Sequence, residues 1–199
     1  MRVGFGARQG QARAALIVAA LLAGGCASDP NRAAAQRSAN ACTAAIYRAD
    51  PQAAEEACTN TLALVRDAKL GARDEATALY DLALVKRRIG KLDEAEEGFK
   101  EALALEEKIS GPISARTGRR LAELAATLAQ ADRWSEGFQY VDRLPEIGDL
   151  YTGSERKFVA GLLYAYADKA EEMSRQNAGA LRAGADKLGF KAEEVRWHP

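Results

Sequence analysis

The side chains best suited to covalent or metal chemistry in this chain are three cysteines, Cys26, Cys42 and Cys58, and one histidine, His198. A Ser-His-Asp or Cys-His nucleophile needs its base held in place. His198 stands one residue from the end of the sequence, where chains fray, so it reads as solvated. No Cys or His cluster has metal-ligand spacing, and there is no glycine-rich phosphate loop. The acidic pairs Glu96-Glu97, Glu106-Glu107 and Glu171-Glu172 read as solvated helix faces rather than paired catalytic acids. The expectation is therefore no catalytic residue, no metal, no cofactor and no enzyme. What remains is the chemistry of sulfur.

Cys42 and Cys58 flank Asp50-Pro51, a helix stop and restart midway between them. If an antiparallel helix pair meets there, both thiols lie at one level, about 12 Å from the turn at 1.5 Å per residue. That level is where a disulfide can form, and closing a loop of this size is worth roughly 3 kcal/mol in the chain-entropy model. The other reading is two buried thiols packing as small apolar residues.

Cys26 ends a different pattern. Arg2, Arg8 and Arg13 precede an apolar run, Ala14–Ala23, followed by Gly24 and Gly25. These are the parts of a secretory leader, and the run is well short of the roughly 20 residues of a membrane span. Leu22-Ala23-Gly24-Gly25-Cys26 resembles a bacterial lipobox. The resemblance implies cleavage before Cys26, a thioether to diacylglycerol and an acylated amine carrying a fatty chain such as palmitate. Two or more such chains anchor firmly, where one binds reversibly. Ala27 and Ser28 follow, with no Asp at the second position; in lipoproteins of enteric-type bacteria this implies the outer membrane, facing the periplasm. An oxidising compartment agrees with the paired cysteines. Removing the leader takes three arginines from a balance of 28 basic and 28 acidic residues. The remaining chain is mildly acidic, a poor nucleic-acid ligand, and long enough for one domain with a real core.

Composition points to helices, with punctuation at Asp29-Pro30, Asp50-Pro51, Gly71, Gly90, Gly111-Pro112, Pro145 and Gly153. The pattern predicts helices over 30–49, 51–70, 73–89, 92–108, 114–130, 135–144, 154–176 and 178–188. Leu79, Leu82 and Ala83 form one stripe, Gly90-Lys91-Leu92-Asp93-Glu94-Ala95 makes a turn, and Ala95, Phe99 and Ala102 recur on one helical face. This segment resembles a tetratricopeptide repeat, a 34-residue pair of antiparallel helices. A weaker copy has Leu121, Leu124, Ala125 and Leu128, then a turn at Asp132-Arg133-Trp134. There Gly137 stands where the repeat has alanine, and 110–117 is expected to hold an insertion as a loop. The first hairpin matches in outline only, and 154–188 reads as a divergent cap.

The fold expected is all-α: a leader (1–25), a lipidated tether (26–29), a short solenoid of about three tetratricopeptide-like repeats with a helical cap (30–190), and a tail (191–199). The resemblance places a peptide groove on the first helices, at Thr77, Tyr80, Leu84, Arg87 and Arg88, and at Arg119, Ala122, Ala126, Ala129 and Gln130. Those residues suggest a mostly apolar trough edged by arginines, with Tyr80 and Leu84 alternatively completing the core. The Lys and Asn clamp for C-terminal carboxylates is missing. Trp134 suits hairpin packing; Trp197 suits docking on the last helix or on a partner.

Function then reads as an envelope scaffold or assembly subunit that binds a protein or peptide. It resembles the repeat lipoproteins of outer-membrane barrel assembly, pilus biogenesis and peptidoglycan-enzyme recruitment. With Pro30 opening a helix, the three residues after Cys26 span about 10 Å, holding the first hairpin near lipid headgroups. The alternative is a periplasmic small-ligand or peptide carrier with a pocket among Trp134, Phe158, Tyr164 and Tyr166.

Overall fold

The computed structural model describes residues 29–48 and 50–197, so the leader, Cys26 and His198 lie outside the described residues. Among the described residues nine α-helices follow one another: α1 (Pro30–Tyr47), α2 (Pro51–Asp67), α3 (Ala72–Arg88), α4 (Leu92–Ser110), α5 (Ala115–Gln130), α6 (Trp134–Val141), α7 (Leu144–Ile147), α8 (Gly153–Glu172) and α9 (Ala178–Lys187). They form hairpins α1/α2, α3/α4, α5/α6 and α8/α9, stacked in chain order, with no strand among the described residues.

Local chemistry sets the boundaries. Asp29 accepts a hydrogen bond from the Asn31 amide and Asp50 from the Ala53 amide, each followed by a proline in the first turn. Both carboxylates satisfy amides that a helix start leaves free, and proline has no amide to leave unpaired. Helices α3, α5 and α8 exit through identical turns. Gly90, Asp132 and Ser174 all have positive φ. The next amide in each case donates back across the turn, Lys91 to Lys86, Arg133 to Leu128 and Arg175 to Ala170, at 2.7–2.9 Å. This left-handed exit satisfies the last carbonyls. Helix α2 exits likewise at Lys69, and it is as the first helix of its hairpin that α8 is the counterpart of α3 and α5.

Three stretches differ most from expectation, one being the helix expected over 154–176, which ends at Glu172 ahead of the left-handed Ser174. The 110–117 insertion is absorbed as extra helix: α4 runs to Ser110 and α5 starts at Ala115, leaving Gly111–Ser114 between. The helix expected over 135–144 breaks after Val141 and restarts as α7, because Pro145 has no amide and clashes with a continuing helix.

The core runs through the stack. Ala95, Phe99 and Ala102 are fully buried, and Gly98 lies against Ala83 where α3 and α4 cross. Helix α5 is the centre, packing against α3, α4, α6, α7 and α8. Where the first hairpin meets α3 there is a small separate cluster of Cys42, Ala45, Ala54 and Cys58 with Leu82 and Val85 of α3. Within it Cys42 and Cys58 are bonded, with Cα atoms 4.8 Å apart.

Candidate binding groove

The first helices of the hairpins, α1, α3, α5 and α8, lie side by side. One arginine–carboxylate pair ties each to the next: Arg32 to Asp74 at 3.2 Å, Arg87 to Glu123 at 2.5 Å, and Arg119 to Glu155. The arginine always comes from the earlier helix. The second helices carry their own ties: Arg66 to Glu101 at 2.9 Å, and Arg133 to Glu96 and Arg143 to Glu107 at 2.5 Å each. Exposed pairs contribute about 0.2–1 kcal/mol each; their repetition fixes the register of the stack.

This arrangement corrects the reading of the acidic pairs. Glu96 is 6% exposed and Glu106 is 0% exposed. Glu106 accepts from the Ser110 hydroxyl at 2.6 Å and faces Arg120 at 3.3 Å, the guanidinium of which lies 4.6 Å over the Tyr80 ring. These glutamates are structural ion-pair members, because the neighbouring helix covers them.

The expected groove residues divide. Thr77 is exposed, its hydroxyl donating to the Arg73 carbonyl. Arg88 is exposed at a separate cavity of about 350 Å³ with Ile46, Pro51 and Val85. Arg119 and Gln130 are exposed, Leu84 is half-buried, and Arg87 is held by Glu123. Tyr80 is buried, tilted onto Phe99 at 5.7 Å, and so completes the core. Ala122 and Ala126 are both 0% exposed and Ala129 is buried with them. They cannot line an open groove, because α5 is packed by five helices and its alanines are what let those helices close in.

An open cleft lies between α1 and α3. It encloses about 160 Å³, and Arg32, Gln36, Asp74, Thr77 and Asp81 supply its polar walls. Ala35, Ala39, Val65, Leu70 and Ala78 supply most of the rest of its lining, so it is an apolar trough with a charged rim. Burial pushes the Asp81 carboxyl up to about 6, against the pull of Arg120 and Arg119. Burial also raises Glu123, opposed mainly by Arg87. Asp81 and Glu123 sit at the same position of α3 and α5 counted from the left-handed exits, each following the residue assigned to the groove. That shared acid was the sequence signal for this face.

The aromatic group of the carrier reading does not form one pocket. Tyr166 is fully buried, its hydroxyl donating to the Ala125 carbonyl at 2.8 Å. Trp134 packs edge-on to Tyr166 at 5.0 Å and to Trp197 at 6.3 Å. Among the described residues no cluster of three or more His, Cys, Asp or Glu is arranged to hold a metal. No helix among them is long and apolar enough to cross a membrane.

Residues 74–147 match the family model described as tetratricopeptide repeat. The fold is similar to that of BtubC (BKLC) from P. vanneervenii, at 17% identity and a TM-score of 0.64, covering 79% of this chain and 63% of that one. This chain thus spans less than two thirds of BtubC. It is also similar to a Podosopora anserina protein described as a candidate kinesin light chain with nearly identical TPR-like repeats, at 18% identity and a TM-score of 0.57, covering 78% and 74%. No curated protein matches the chain. At these identities the likeness concerns the fold, which is a tetratricopeptide-like solenoid.

Proposed function

We propose that this chain is a lipid-anchored scaffold of the cell envelope, binding an extended or helical segment of a protein partner on the faces of α1 and α3. The open cleft rimmed by Arg32, Asp74, Thr77 and Asp81 carries this reading. Tetratricopeptide repeats are protein-binding modules, and the match over 74–147 includes α3 and the whole of α5. A trough with an apolar lining and Arg32, Asp74 and Asp81 at its rim suits a peptide carrying both apolar and charged side chains. The lipobox-like Leu22–Cys26 supports attachment through Cys26 and, with Ala27 and Ser28 following, the outer membrane.

The carrier alternative would use a space of about 630 Å³ beside α8. Its walls include Asp168, Lys169, Glu172, Glu193 and Arg196. Small-ligand pockets are enclosed and mainly apolar, so this space favours a peptide.

The test is photo-crosslinking in intact envelopes with p-benzoylphenylalanine at Thr77 or Gln36, and at exposed Glu97 on α4 as the control face. A discrete protein adduct at Thr77 and Gln36 but not at Glu97 is expected. Identical profiles at all three would refute the groove. For the anchor, Cys26→Ser should abolish palmitate labelling; labelling that persists would refute lipidation.

A further inference from the structure

The C-terminal segment does not trail from the last helix; it folds back across α8. Val195 is 4% exposed, and Trp197 packs edge-on against Trp134. The Tyr164 hydroxyl donates to the Phe190 carbonyl at 2.8 Å, holding the start of the segment. Gly161, inside α8, is the crossing point. A Cβ there would overlap the Val195 carbonyl oxygen and lie 3.2 Å from the Trp197 Cβ. Glycine within a helix is unfavourable unless a backbone must come close, and here one does.

The position of this crossing is informative. Counted back from the left-handed exits, Gly161 and Asp168 on α8 occupy the places of Thr77 and Leu84 on α3, and Tyr164 that of Tyr80. The segment therefore lies on the part of α8 that corresponds to the groove side of α3. It covers only part of that face: beside it a recess of about 630 Å³, open to solvent, is bordered by Ala165, Asp168, Lys169 and Glu172. Among the described residues Arg196 and Trp197 make no backbone hydrogen bond to α8.

We propose that this face of α8 is a peptide site whose resident occupant is the chain's own Lys191–Trp197. A peptide of the same chemistry, an apolar residue two positions before a tryptophan with a basic residue between, displaces it. The site takes the apolar residue beside Gly161 and the indole beside Trp134. It is separate from the α1–α3 cleft, and its test does not involve the envelope partner.

The experiment uses the full-length chain in detergent, as wild type and with Val195→Asp and Trp197→Ala together, which alter only the segment. The probe is a fluorescein-labelled peptide of residues 190–199. Saturable binding to the double variant, at least about tenfold weaker binding to wild type, and a loss of about tenfold for the peptide carrying Trp197→Ala are expected. Adding Gly161→Ala to the double variant should abolish binding, since the new methyl blocks the crossing. Equal binding to wild type and double variant, no binding to a double variant of native helix content, or binding indifferent to Gly161→Ala would overturn the proposal. Loss of helix content in the double variant would overturn it too, by showing the segment to be part of the core.

Discussion

The hydroxyl of Tyr166 on α8 reaches the main-chain carbonyl of Ala125 on α5 at 2.8 Å, and it does so across the space where Gly137 has no side chain. A Cβ at 137 would overlap that hydroxyl. The missing alanine of the weaker repeat copy is thus the counterpart of a tyrosine one hairpin later. Gly137→Ala should destabilise by about 1–3 kcal/mol through overpacking, despite better helix propensity. Combining it with Tyr166→Phe should recover only part of the loss in urea unfolding, because a Cβ at 137 would still lie 2.6 Å from the ring Cζ.

Gly118 and Tyr151 repeat this relationship with one difference. A Cβ at 118 would overlap the Tyr151 hydroxyl, but that hydroxyl has no hydrogen-bond partner among the described residues. A buried polar group without a partner costs free energy. Tyr151→Phe should therefore leave stability unchanged or raise it by up to ~1 kcal/mol, whereas Tyr166→Phe alone should lower it. Thermal unfolding of the two single variants side by side checks the contrast.

The buried pair Glu106 and Arg120 behaves as a unit. Arg120→Met leaves a carboxylate of 0% exposure facing no guanidinium on its α5 side and should cost about 3–5 kcal/mol. Glu106→Gln added to it should restore most of that loss in denaturant unfolding, because the uncompensated charge disappears. Additive losses would mean that the two side chains contribute independently.

Asp81 makes stability depend on pH. Burial lifts its pKa to about 6 in the folded chain, while an unfolded Asp titrates near ~3.9. Between these values the folded state binds the extra proton, so this group's contribution falls as pH rises through the window and stays unfavourable above it. Asp81→Asn should unfold at a higher temperature than wild type at pH 7.5, by about 2–4 °C for a gain of ~1 kcal/mol. The two should converge near pH 4.

Reducing the Cys42–Cys58 bond releases a loop with a sequence separation of 16. The cost should be about 3 kcal/mol, felt first in α1 and α2, whose cluster against α3 is small and alanine-rich. Hydrogen exchange with and without reductant should show faster exchange in α1 and α2 and little change in α5. Thiol titration of denatured, unreduced protein should find neither cysteine reactive.

Most helix limits and turns were readable because they depend on local chemistry: aspartate before proline, glycine after the last apolar residue, and alanine at a crossing. The exit turn at Ser174 was hidden because serine does not announce a left-handed residue as Gly90 does. Ala122 and Ala126 were misplaced because alanine suits a groove wall and a helix crossing equally, and only the packing of five helices on α5 decides. Glu106 was misread because a charge in a helical pattern looks solvated until Arg120 from the next hairpin covers it. The path of 191–197 has no periodicity to follow. Its one clue was Gly161, a glycine in a helix interior with no turn to make.

The sulfur bridge of the first hairpin also has a mechanical side. Any tension entering the chain ahead of Asp29 can peel α1 only as far as Cys42, where the load crosses the covalent bond to Cys58 in the middle of α2. The turn through Asp50 and Pro51 is bypassed and carries none of it. Strain would then reach α3 broadside, through the ties of Arg66 to Glu75 and Leu82 to the bonded pair, rather than by unwinding the hairpin from its end.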